Sequence, residues 1–142
     1  MNPLTFVVYG LPAPQGSKRH MGNGVLVESS KAVSPWRQDV KHAALACIPH
    51  DWDRSLPMNL SVVFRFKRPA TQIGAKGVKP SAPSHCTSAR AGDLDKLCRS
   101  TLDSLTDVAY DDDRQVISIV ASKRYCIGDE PQGAIITLTT LA

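Results

Sequence analysis

The 142-residue sequence has no apolar run approaching the roughly 18 residues of a membrane span. Its start, Met1-Asn2-Pro3, has neither the basic segment nor the apolar stretch of a secretion signal. No C-x-x-C pair occurs. Cys47, Cys86, Cys98 and Cys126 are widely scattered, which fits reduced thiols in a cytoplasm better than a disulfide framework or a zinc knuckle. The Walker spacing G-x-x-x-x-G-K-[ST] is missing, so the loop Pro14-Gln15-Gly16-Ser17-Lys18-Arg19 is a poor nucleotide cradle. No G-x-S-x-G elbow marks a nucleophilic serine. His20, His42, His50 and His85 lack partners at metal-ligand spacing, and no internal repeat or low-complexity tract is present. These absences leave a single soluble domain spanning residues 1–142, with no membrane partner expected.

Acidic residues are missing from one long stretch and crowded into the next. Residues 54–92 contain no Asp or Glu but carry seven cations: Arg54, Arg65, Lys67, Arg68, Lys76, Lys79 and Arg90. Residues 93–113 then carry seven acids: Asp93, Asp95, Asp103, Asp107, Asp111, Asp112 and Asp113. Only Lys96 and Arg99 oppose them. Basic segments attract polyanions by neutralising phosphates and releasing counterions. The carboxylates repel the same polyanion unless a divalent cation lies between them. The alternative is that both runs are solvated surface.

Alternating apolar residues predict strands at Leu4–Val8, Leu60–Phe66, Val116–Ser122 and Ala134–Leu141, with a short one at Val25–Glu28. The Val116–Ser122 strand is expected to have at least one well-buried face. Residues 11–23 are rich in Pro, Gly and small polar residues and read as loop. Ser34-Pro35 predicts a helix start with Ser as N-cap, and Pro49 its end. Residues 67–92, containing Pro69, Gly74, Gly77, Pro80 and Pro83, read as a long basic loop of functional character. Leu94, Leu97, Cys98, Thr101, Leu102 and Leu105 recur at amphipathic spacing and predict a second helix. The fold class is α+β, a mixed or antiparallel sheet covered by two helices.

Two acidic clusters flank that second helix. Asp93 and Asp95 stand at its entry, where both carboxylates can turn toward one point, although Asp there also serves as a cap and complements the helix dipole. Asp111-Asp112-Asp113 is poor turn chemistry unless something relieves the repulsion, and a divalent cation does so. Oxygen ligands of this kind suit Mg²⁺ or Mn²⁺ rather than Zn²⁺. An EF-hand is excluded: counting from Asp93 its twelfth position is Ser104, and counting from Asp111 its sixth is Val116.

The stretch Asp93-Leu-Asp-Lys-Leu through Tyr110-Asp-Asp-Asp-Arg-Gln-Val116 resembles the signature of RusA-type Holliday-junction resolvases: D-L-D-x-L, a helix, then an aromatic and D-D-x-Q-V. The loop Gly10-Leu-Pro-x-Pro-Gln-Gly-Ser-Lys18, the Trp36-Arg37 helix entry and Lys79-Pro-x-x-Pro-x-His85 resemble the phage-type branch, which suggests a phage or prophage source in a bacterial cell. The resemblance implies a small homodimeric, Mg²⁺-dependent endonuclease that resolves four-way DNA junctions by paired nicks in recombination and repair. It places metal-binding aspartates at Asp93, Asp95 and Asp113, with Asp112 as the adjacent acid. The family's catalytic lysine falls on Arg99, which binds phosphate as a fork and cannot give up its proton; Lys96 is the alternative. Lys18, Arg19, Lys67, Arg68, Lys76, Lys79 and Arg90 would follow the junction backbones.

Such a site makes a geometric demand. A helix from Asp95 to Leu105 is about 15 Å long, so Asp113 must either travel back along it or complete a partner's site. Two rival readings stand beside the nuclease: a catalytically silent junction-binding module whose aspartates only cap and solvate, and a carboxylate metal-binding protein with no nucleic-acid role. The cation run opposes the last.

Overall fold

The computed structural model describes residues 2–16, 18–20, 26–28 and 31–142, with side chains described at 3–16 and 31–142. The elements run β1 (Asn2–Tyr9), β2 (Lys18–His20), β3 (Leu26–Glu28), α1 (Val33–Cys47), β4 (Met58–Phe66), β5 (Ile73–Gly74), β6 (Gly77–Val78), α2 (Leu94–Leu105), β7 (Val116–Tyr125) and β8 (Gly133–Thr140). Single 3-10 turns lie at Ala70–Gln72 and Asp113–Gln115. One mixed sheet has the order β1-β8-β4-β7, in which β4 and β7 are parallel and the other pairs antiparallel. The expected α+β class holds.

Both helices contribute to one core. Trp36, Val40 and Ala44 of α1 and Leu97 and Leu105 of α2 pack with Phe6, Val8, Leu60, Val62, Phe64, Ile136 and Leu138 of the strands. The amphipathic spacing of α2 thus reflects burial of one stripe. The helices are joined by a buried hydrogen bond from Trp36 Nε1 to Thr101 Oγ1 at 3.3 Å.

Three expectations change in detail. Helix α1 starts at Val33 with Ala32 in the cap position and no side-chain cap bond, because Val33 is itself buried in the core. Pro35 is tolerated because N–H groups of a first turn have no helical partner. The expected loop 11–23 is irregular over 11–16, but β2 follows within it and pairs with β3. Val25 lies outside the described residues. Loop 67–92 contains a 3-10 turn and the β5–β6 hairpin, and Arg68 ties it down by donating to Gln72 Oε1 at 3.0 Å and Pro83 O at 2.7 Å.

The largest correction concerns β7. It is the edge strand next to β4, not a strand with a well-buried face. Ile117, Ile119 and Val120 are 66%, 44% and 68% exposed, while Tyr125 at its far end is buried. The register shifts at its start: Val116 pairs with Met58 and Ser118 with Asn59, leaving Ile117 as a bulge.

Candidate active site

Helix α2 begins where three segments converge. Gly92 has φ +84°, and a Cβ there would lie 2.8 Å from Pro14 Cγ, so only glycine fits between this turn and the 11–16 loop. That loop is pinned to the helix by Gln15 N–H donating to Lys96 O at 2.9 Å and by Ser100 Oγ donating to Ala13 O at 2.6 Å. From β7, Lys123 Nζ donates to Gly92 O at 2.6 Å. The first turn of α2 is held on both sides.

Asp93 occupies the N-cap position in an extended conformation, yet its side chain makes no cap hydrogen bond. Its carboxylate is 69% exposed and, among the described residues, meets only Lys96 Nζ, at 3.6 Å. Asp95 is exposed in the first turn, and its charge joins burial in raising the pKa of the Cys98 thiol. Among the described residues no hydrogen bond or ion pair engages the Asp95 carboxylate. Arg99 is exposed one turn further along. The capping role that could explain Asp93 is therefore not the one it performs.

The triplet is divided among different tasks. Asp111 pairs with Arg54, whose Nη2 lies 2.9 Å from Oδ1. Asp112 caps the following 3-10 turn: Oδ1 accepts from Arg114 N–H at 2.9 Å, and Arg114 Nη1 reaches Oδ2 at 3.2 Å. Its carboxylate is committed to that turn. Asp113 carries no hydrogen bond or ion pair among the described residues. Gln115 clamps the whole turn, accepting from Asp111 and Asp112 N–H at 3.0 and 2.8 Å and donating to Arg54 O and Leu56 O at 2.7 and 2.9 Å.

The open carboxylates do not gather with a third acid among the described residues. Tyr110 Oη donates to Leu102 O at 2.7 Å, in the last turn. Burial first, then the charges of Asp113 and Asp103, push the pKa of this phenol upward. Tyr110 is thus tied to Leu102, which lies about 14 Å along the helix axis from Asp93. The chain does return along α2, but as β7, and the residue it delivers to the helix start is Lys123. Among the described residues no three His, Cys, Asp or Glu side chains gather closely enough to hold a metal ion.

The cation run also divides. Arg65 is buried and pairs with Glu130 at 3.3 Å; Arg124 reaches the same carboxylate at 2.7 Å. These contacts, led by the Arg124 hydrogen bond, hold the Glu130 carboxyl down at about 2. Arg68 lies 4.2 Å over the Tyr125 ring. Lys67, Lys76, Lys79 and Arg90 remain exposed. Lys67 and Arg68 border a cleft of about 650 Å³ with Ile73, Val78, Cys126 and Glu130, at the C-terminal ends of β4 and β7. Lys18 and Arg19 lie in β2, outside the described side chains. Sequence reasoning missed Lys123, which a strand alternation presents as an ordinary outward lysine, and Gln115, which it noted only as part of a motif.

An α+β sandwich whose second helix opens on uncommitted aspartates, beside a loop carrying exposed cations, is the framework of a nuclease-like polyanion-binding domain. The family profile of endodeoxyribonuclease RusA matches residues 10–139. The chain belongs to that family, whose function is endodeoxyribonuclease action on Holliday junctions. No curated protein matches the chain. Among the described residues no helix is long and apolar enough to cross a membrane.

Proposed function

We propose that this protein is a Mg²⁺-dependent endonuclease of the cytoplasm that works as a homodimer and resolves four-way DNA junctions by paired nicks during recombination and repair, in a phage or prophage setting. The observation that carries this reading is the open pair Asp93 and Asp95. Asp93 sits in a cap position without capping, and among the described residues neither carboxylate is buried or clamped by arginine. Oxygen donors of this kind fit Mg²⁺, with Mn²⁺ as a substitute. Asp93 and Asp95 are the proposed ligands at the start of α2, and Asp113, which one chain does not gather with them among the described residues, is the proposed third, with Asp112 supporting it by fixing the turn in front of it.

When bound, Mg²⁺ supplies charge neutralisation at the phosphate and an activated water. The protein's own groups do the rest. Lys96 steadies the Asp93 carboxylate, and Lys123 fixes the carbonyl just before it. Arg99 presents a fork-shaped donor set to the phosphate, one turn from Asp95. Lys67, Lys76, Lys79 and Arg90 meet the strand backbones, with Lys18 and Arg19 as further contacts. Arg68 acts mainly from behind, holding the loop to Tyr125.

A synthetic four-way junction incubated with the purified protein tests this. Symmetric nicks are expected with Mg²⁺ and none with chelator. Asp95→Asn is expected to lower nicking by about 100-fold or more while junction binding persists, since even groups that only support metal ligands matter 10–100-fold. Binding without nicking in both Mg²⁺ and Mn²⁺ would identify a silent junction-binding module instead.

A further inference from the structure

We infer that the cleft at the C-terminal ends of β4 and β7 receives one unpaired base from the branch point of the junction, and that Asp129 makes guanine the favoured base. The site rests on the junction-binding reading above and adds base selection to it.

The cleft stands between two fixed walls. One is the β5–β6 hairpin, where Ile73 and Val78 are direct cross-strand partners and so share one face. Both are exposed and both line the cleft. Arg68 holds this wall in place: its guanidinium lies over the Tyr125 ring, and its Nη1 donates to Gln72 Oε1 and Pro83 O. The other wall is the turn 127–130. Glu130 N–H donates to Ile127 O at 3.2 Å, and Ile127 N–H donates to Glu130 Oε1 at 2.7 Å, so the turn is closed from both ends. Between the walls Cys126 continues the β4–β7 pairing by donating its N–H to Phe66 O at 2.9 Å.

The lining decides the occupant. A volume of about 650 Å³ falls within the range of small-molecule sites and holds a single nucleotide. Ile73 and Val78 suit the face of a base, since extruded bases stack between apolar side chains. Phosphates on either side of that base meet Lys67 at the rim and Lys76 and Lys79 on the hairpin, within the stretch 54–92 that has no Asp or Glu. A branch point supplies such a base at least cost, because extrusion is easiest where regular pairing is already interrupted.

Two carboxylates line the cleft, and one is available. Glu130 is held by Arg65 and Arg124. Asp129 is exposed, and among the described residues no hydrogen bond or ion pair engages its carboxylate. An ionised carboxylate only accepts hydrogen bonds, at two oxygens side by side. Guanine matches it with two adjacent donors, N1–H and the 2-amino group. Adenine and cytosine set an acceptor beside their amino group, and thymine flanks its one N–H with two carbonyls. The site is also within reach of the chemistry. Lys123, which donates to Gly92 O next to Asp93, precedes Cys126 by three residues, about 10 Å of extended chain. A DNA strand covers that span in about three stacked nucleotides at about 3.4 Å per step.

The test uses Asp95→Asn, expected above to bind junctions without nicking them, in Mg²⁺ with synthetic four-way junctions. These differ only in the base pairs flanking the branch point, which are G·C, hypoxanthine·C or A·T. Alkylation of each cysteine by a maleimide is read by peptide mass spectrometry. The G·C junction is expected to abolish alkylation of Cys126 and to leave that of Cys47, exposed at the end of α1, unchanged; a linear duplex of the same sequence is expected to protect neither. In fluorescence anisotropy the G·C junction is expected to bind about threefold to tenfold more tightly than the A·T junction, the worth of one or two partly exposed hydrogen bonds. Hypoxanthine, which lacks the 2-amino group, is expected to lose that advantage although its pairs open more easily, and Asp129→Asn is expected to erase it. Ile73→Ser with Val78→Ser is expected to restore Cys126 alkylation with unchanged circular dichroism. Bound junctions that leave Cys126 reactive, or a duplex that protects it equally, overturn the base site. A guanine preference that survives Asp129→Asn overturns the role of Asp129. A protein that binds no junction at all refutes the junction reading, and the base site falls with it.

Discussion

Changing Asp93 to Asn and Asp112 to Ala separates chemistry from capping at two residues of the same type. Asp93 makes no cap hydrogen bond, and Asn is as good as Asp at an N-cap, so the local backbone preference survives. What Asp93→Asn loses is an exposed i,i+3 pair with Lys96 at 3.6 Å, worth about 0.2–0.5 kcal/mol, and part of a dipole interaction of about 0.3–1 kcal/mol. The sum stays near 1 kcal/mol or below, a drop of about 3–4 °C in Tm for a domain of this size. Asp112→Ala instead removes an acceptor that satisfies Arg114 N–H at 2.9 Å, a loss of about 0.5–2 kcal/mol. Urea unfolding and junction nicking are measured on both. Asp93→Asn is expected to be near wild type in stability and unable to nick; Asp112→Ala is expected to be the less stable of the two and still to nick. An Asp93→Asn variant destabilised by more than about 2 kcal/mol, with nicking lost only in proportion to unfolded protein, would refute the reasoning and return Asp93 to a structural role.

Gln115→Ala removes the four hydrogen bonds by which this one side chain bridges residues 54–56 and the Asp111–Asp112 turn; at about 0.5–1.5 kcal/mol each and partial exposure, a loss of about 2–3 kcal/mol is expected in thermal unfolding, and one below about 0.5 kcal/mol contradicts the clamp. Glu130 has a folded pKa depressed to about 2 from 4.5, so its contribution is fully present above the ordinary value and is lost as pH falls from there toward about 2. Urea midpoints measured down this window should fall less steeply in Glu130→Gln than in the wild type.

The sequence discloses those elements whose local pattern and tertiary role agree. Helix α2 is legible because its apolar stripe meets the core at every turn, and β4 because its alternation coincides with burial of Met58, Leu60, Val62, Phe64 and Phe66. The β7 alternation reads the same way in one dimension, yet β7 is an edge strand and Ile119 and Val120 are exposed. Apolar content marks a strand without saying what covers it. The acidic residues show the same limit. Sequence spacing places Asp93 and Asp112 at turn entries alike, but only the packed chain shows that Asp112 finds an N–H to accept and Asp93 does not. Long-range partners such as Arg54 for Asp111, or Glu130 for Arg65, have no local signature at all.

The division of charge along the chain becomes a division of labour once partners are assigned. Arg54 and the capping turn relieve repulsion within Asp111–Asp113, so that end of the sheet needs no cation to fold. Arg65 and Arg68 spend their charges on Glu130 and the Tyr125 face, which fixes the loop that follows β4. Lys67 and its cleft then lie at the C-terminal ends of β4 and β7, where Lys123 reaches the start of α2. A phosphate chain drawn to this end is brought to Asp93 and Asp95, whose negative charge opposes it. Cations that attract and carboxylates that repel at one end of a sheet are stable together in water through screening, but close approach of DNA needs the opposition removed. That requirement ties DNA engagement to occupancy of the carboxylates, so a metal bound there assists binding as well as chemistry.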